Sequence, residues 1–181
     1  MAKSKEKVIR SIDLKEDRKL GLRLLALSML AAAVLVLIGC SFENIGFLFG
    51  NGGFGGLFAR LAVIVGGSIL CLALNEILRR MLIKKLKGGT DRTEKKSLLA
   101  PAGKMSLKNY AIICFVPVLA LAVVLTVLML ALPHRLLWSV YIIQALNLSG
   151  AVGDIYVLLI AKKAKAGFIE EKSVGSFEIV K

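Results

Sequence analysis

The stretch "YAIICFVPVLALAVVLTVLMLAL", residues 110–132, decides the fold. It carries no charge over 23 residues. As a helix it would run about 35 Å, enough for the roughly 30 Å hydrocarbon layer of a bilayer. Buried helices of soluble domains seldom run so far without charge, so the stretch reads as a transmembrane helix. Working outward, three more segments read the same way. Residues 24–40 form a first, slightly short span, residues 61–78 a second, and residues 136–161 a fourth that is long enough to tilt. Composition agrees: 57% of the 181 residues are hydrophobic, against roughly 45–50% in soluble domains. The expected fold is an all-α integral membrane protein of four transmembrane helices, with a basic segment 1–23, a loop 79–109 and a tail 162–181.

Basic residues set the expected orientation. Residues 1–23 hold eight Lys/Arg, residues 79–108 hold ten and residues 162–181 hold five, while Arg60 and Arg135 stand singly in the other two connections. Basic loops stay on the cytoplasmic side, so the N-terminus, the middle loop and the C-terminus are all predicted cytoplasmic, in a cell membrane crossed several times. The net charge of +13 then faces anionic lipid headgroups, the expected partner. Nucleic acid is not expected, because no nucleic-acid-binding motif accompanies the charge.

Smaller signals have ordinary readings. Cys40, Cys71 and Cys114 lie in apolar segments without CxxC spacing, and Cys71 and Cys114 read as buried small hydrophobes. "LIGC", 37–40, matches a lipoprotein cleavage box, but the leader would be long and would carry Asp13, Glu16 and Asp17 before its apolar core. "GNGGFGG", 50–56, lacks the Lys-Ser/Thr of a phosphate loop and reads as a flexible connection. "GGS", 66–68, reads as a close-packing patch between helices. Residues 1–20, with Val8, Ile9, Ile12 and Leu20 among charges, fit either an interfacial helix or a solvated tail.

Charge inside a span is costly and calls for a reason. The second span ends in "CLALNEILRRML", 71–82, which brings Asn75, Glu76, Arg79 and Arg80 to the membrane boundary. Glu76 precedes Arg79 by about 5 Å of helix. In the fourth span Gln144, Asn147 and Asp154 follow spacings of three and seven, along one side of a helix. Both spans end on the same side, so Glu76 and Asp154 lie at similar depth. Two readings stand. In one, Glu76 pairs with Arg79 or Arg80 along its own helix and the stretch is an interface anchor. In the other, Asn75, Glu76, Arg79, Asn147 and Asp154 form one buried polar cluster, with Arg79 paired to Asp154, Glu76 or both.

Further residues bring a resemblance. The loop and third span read "APAGKMSLKNYAIICFVP", 100–117, the fourth span has "NLSGAVGDIYVLL", 147–159, and the tail has "AGFIEEKSVGSF", 166–177. From about residue 57 onward the chain resembles the membrane family described as "putative zincin peptidase". Its members carry H-E-x-x-H at the cytoplasmic end of an early span and N-x-x-G-x-x-G-D-I-Y in a later one. The resemblance implies that two histidines and the aspartate of "GDIY" hold zinc while the glutamate activates a water. By position, Glu76 matches the glutamate and Asp154 the aspartate, but Asn75 and Arg79 stand where the histidines would be. Asn is a poor zinc ligand, and a guanidinium keeps its proton and repels a dication. His134, the one histidine, is predicted on the opposite side of the membrane. No metal and no cofactor is therefore expected. The expected function is a non-catalytic scaffold or interaction protein that binds other membrane proteins. The alternatives are a small transporter or channel component using Glu76 and Asp154 as ion or proton sites, and an active membrane hydrolase of unusual chemistry.

Overall fold

A computed structural model describes residues 8–13, 17–42, 53–86, 103–173 and 176–180. Among the described residues five helices follow one another: α1 (Arg18–Cys40), α2 (Gly53–Leu86), α3 (Leu107–Ala131), α4 (His134–Ser149) and α5 (Val152–Lys163). Four segments are long and apolar enough to cross a membrane, the fourth being α4 and α5 taken together. The helices outrun the expected spans because polar and small residues extend them. Asp17 caps α1, its Oδ1 accepting from Leu20 N at 3.0 Å, and α2 takes in Gly53 to Gly56 at its start and Lys84 and Lys85 at its end. Half of the expected glycine-rich connection is thus the first turn of α2, and residues 50–52 lie outside the described residues. Ser106 caps α3, accepting from Asn109 N at 3.3 Å.

Helix α4 is the hub, packing against α1, α2 and α3, while α5 touches α1 and α3. Small residues permit the approach. A Cβ at Gly67 would collide with Ile143 of α4, so the patch at 66–68 does close the α2–α4 contact, through its second glycine. A Cβ at Gly39 would likewise collide with the Tyr141 ring, whose hydroxyl donates to Leu35 O at 2.6 Å. Gln144 Nε2 donates to Ala122 O at 3.3 Å and Asn147 Nδ2 to Val118 O at 3.1 Å, so α4 also holds α3 through side-chain amides on backbone carbonyls. The fourth span is not one helix: it turns at Gly150 and Ala151 between α4 and α5.

The fold is mostly helical but not all-α. A four-stranded antiparallel sheet of order β1-β4-β3-β2 stands at one end of the bundle. Its strands are β1 (Val8–Asp13), β2 (Gly103–Ser106), β3 (Phe168–Ser173) and β4 (Ser176–Val180). They come from the basic N-terminal segment, the end of the middle loop and the tail, so those three segments meet on one side of the bundle. The amphipathicity of residues 8–12 belongs to a strand, in place of the interfacial helix or solvated tail expected. Alternation puts Ile12, Met105, Ile169, Phe177 and Ile179 on the inner face, where they join Tyr110, Ile113, Cys114, Val157 and Ala161 in one core. The register sets Met105 beside Ile169 beside Ile179, and Glu171 beside Phe177 beside Ile12. Glu171 is therefore a carboxylate on an otherwise apolar face. A second core higher in the bundle gathers Cys71, Leu121, Leu125, Val140 and Ile143.

Candidate functional site

Polar side chains concentrate where the helices meet the sheet. Arg79, near the end of α2, points its Nη2 at Glu171 Oε2 of β3 at 3.6 Å, with 24% and 10% of the two side chains exposed. The Asp154 carboxylate and the Cys114 thiol are also within electrostatic reach of that guanidinium. Asp154 sits in the first turn of α5 and accepts a hydrogen bond from Tyr110 Oη at 3.2 Å. Tyr110 is wholly buried at the start of α3 and stands edge-on to Phe177 of β4, their centroids 6.1 Å apart. The Cys114 thiol, one turn further along α3, lies beside both Tyr110 and Asp154. Helices α2 and α5 and strand β3 thus each contribute one of these polar groups to the junction, and α3 contributes two.

Above the junction lies a cavity of about 440 Å³ between α1, α2, α4 and α5. Its walls are largely apolar, and its polar groups include Asn75, Asn147, Asp154, Ser68 and Ser28. Ser28 Oγ donates to Ser149 O at 2.7 Å, across the helix break. The Ser68 hydroxyl is buried without a hydrogen-bond partner in the protein.

The residues expected to form one cluster divide in two. Asn75, Asn147 and Asp154 line the same cavity, and Arg79, which is not among its lining residues, lies within electrostatic reach of Asp154. Glu76 faces away: it is exposed and accepts from Arg80 Nε at 2.6 Å, the acid-first i,i+4 pair that an interface anchor would make. Arg79 therefore makes its ion pair with Glu171, and not with Glu76 or Asp154 as expected from the sequence. Spacing alone missed this because Glu76 and Arg79, three apart, diverge by about 60° around the helix, and Arg80 is the better-placed partner. Glu171 and Tyr110 were also missed. Glu171 lay in a tail read only as a basic cytoplasmic segment, and Phe168-Ile169-Glu170-Glu171 has no apolar/polar alternation to mark a strand. Tyr110 looked like the first residue of an apolar span, yet a phenol there carries a hydroxyl that must find a partner when buried.

The resemblance implies zinc between these elements, and the donor set does not fit it. A carboxamide at Asn75 is a weak ligand, and the Arg79 guanidinium carries a permanent positive charge beside Asp154, the one carboxylate on the cavity wall. Among the described residues no three His, Cys, Asp or Glu side chains gather as a metal would need. What the arrangement does offer is charge pairing: one cation paired with a β3 carboxylate, within electrostatic reach of an α5 carboxylate that a phenol holds.

No curated protein and no solved structure matches the chain. The family model described as "Putative zincin peptidase" matches residues 68–169, from the second half of α2 to the second residue of β3. That stretch is more than half of the chain and contains Asn75, Glu76, Arg79, Tyr110, Asn147 and Asp154, while Glu171 lies just beyond it. The chain belongs to this family of zincin-type peptidases.

Proposed function

We propose that this protein is a non-catalytic member of its family, a membrane-embedded scaffold that binds other membrane proteins and has an arginine clamp where a metal would sit. The observation that carries the reading is Arg79, at a position matching a zinc-binding histidine, in an ion pair with Glu171 and in the field of Asp154. Zinc would bring two positive charges to that place, and Arg79 brings one without an open coordination position. Glu76, matching the glutamate that would activate a water, is turned outward onto Arg80. A hydrolase needs a polarised carbonyl and an activated nucleophile, and this arrangement supplies neither. The ion-path alternative draws no support from Glu76 and Asp154, which are engaged separately, one with Arg80 and one with Tyr110.

The reading places the basic segments and the sheet in the cytoplasm and the bundle in the cell membrane. Its support is the meeting of all three basic segments in one sheet, together with the excess of Lys/Arg on them. Restoring the histidines tests the correspondence of the site. The variant Asn75→His/Arg79→His, purified and folded, should take up zinc near one equivalent per chain, and Asp154→Asn in that background should lose it. A folded double-histidine variant without zinc affinity would show that Asn75 and Arg79 do not stand at ligand positions.

A further inference from the structure

A groove of about 420 Å³ runs between α3 and α5 on the outer surface of the bundle. Phe115, Ile155, Leu158 and Leu159 form its apolar wall, and Leu107, Lys108 and Lys162 line its sheet-side end. Lys108 is in the first turn of α3 and Lys162 in the last turn of α5, so antiparallel helices bring both ammonium groups to one level. That level is where the apolar spans stop and the sheet begins. Both lysines are exposed, and neither enters the ion pairs found among the described residues. Neither belongs to the Arg79 junction, so the groove is a separate feature.

We infer that this groove is a binding site for one anionic phospholipid, its phosphate between Lys108 and Lys162 and an acyl chain along Phe115, Ile155 and Leu159. Three observations select that occupant. The wall is apolar over a membrane-spanning stretch, where only an acyl chain or another helix is available to cover it. The two charges at the end of the wall are positive and fall at headgroup depth, so the matching partner has an anionic head directly joined to an apolar tail. A transmembrane helix of a partner would bury those ammonium groups against its own end, where charge of the same sign is the rule on this side. Two basic residues at the surface of a membrane protein strengthen binding to anionic lipid by roughly ten- to thirtyfold. The site rests on the reading that the bundle sits in a bilayer and is independent of whether the protein cleaves peptides.

The test uses the full chain reconstituted in vesicles of phosphatidylcholine and phosphatidylglycerol at equal mole fraction, then extracted gently and weighed by native mass spectrometry. The expected result is a retained phosphatidylglycerol in clear excess over phosphatidylcholine. Lys108→Gln/Lys162→Gln should lower that retention roughly ten- to thirtyfold, and Lys108→Arg/Lys162→Arg should keep it. Lys84→Gln/Lys85→Gln, which removes the same charge from the end of α2, outside the groove, should leave the retention close to that of the parent chain. If the double glutamine variant does not fold, Lys162→Gln alone carries the test, with a smaller drop expected. Equal retention of the two lipids by the parent chain overturns the site. So does an equal loss from both lysine pairs, which would mean diffuse surface charge. Displacement of the lipid by inorganic phosphate would overturn the acyl-chain assignment.

Discussion

Arg79 sets the character of the junction, because it is a cation placed against the inner face of a sheet that is otherwise apolar. Arg79→Met takes the guanidinium away from the Glu171 carboxylate, 10% exposed, on the strand face that also carries Phe177 and Ile12. Breaking a fully buried pair costs about 3–5 kcal/mol; with a quarter of the Arg79 side chain in solvent, the expected loss is about 2–3 kcal/mol. The double variant Arg79→Met/Glu171→Leu should recover most of it, and equilibrium unfolding in bicelles would measure both. Tyr110→Phe removes, from a wholly buried side chain, the hydroxyl that donates to Asp154. It should cost about 1–2 kcal/mol while leaving the T-shaped packing on Phe177 in place. Asn147 and Asp154 were legible together from helical spacing, and Asn75 from its matching depth on the second span. The ion pair of Arg79 was not legible, because its partner arrives from a strand 92 residues later and nothing local points to it.

At the scale of elements, the spans could be read from sequence because apolarity over twenty residues is a strong, local signal. The sheet could not be read so easily. Its strands are four to six residues long, come from three separate regions, and pair across as much as 172 residues, as Val8 does with Val180. Their Lys, Glu and Arg residues also made the segments look solvated. Only the alternation around Ile169, Phe177 and Ile179 carried the pattern. The sheet's contribution can be measured: Ile169→Ala and Ile179→Ala, at positions with no solvent access, should each destabilise the protein by about 2–5 kcal/mol. If the tail were solvated instead, both would be near neutral. Gly67→Leu should weaken the α2–α4 contact, because even a Cβ there collides with Ile143, and a loss of thermal stability in detergent would report it.

For the whole molecule, the sheet is a topological statement. Strand pairing ties residues 8–13, 103–106, 168–173 and 176–180 to one end of the bundle, so the segments flanking the spans alternate ends. Single cysteines at Lys85 and Lys163 should therefore react with an impermeant thiol reagent from the same side of sealed vesicles. One at Phe54, at the start of α2, should react from the other side. The proposed orientation, drawn from the positive-inside bias, would make the sheet side the cytoplasmic one. On the proposed reading, the salt bridge of Arg79 with Glu171 stands where a metal centre would be. The most direct test is the zinc content of the unmodified chain, purified from membranes without chelators and measured by elemental mass spectrometry alongside Asp154→Asn. The account predicts zinc at background in both. About one zinc per chain, lost in Asp154→Asn, would contradict it.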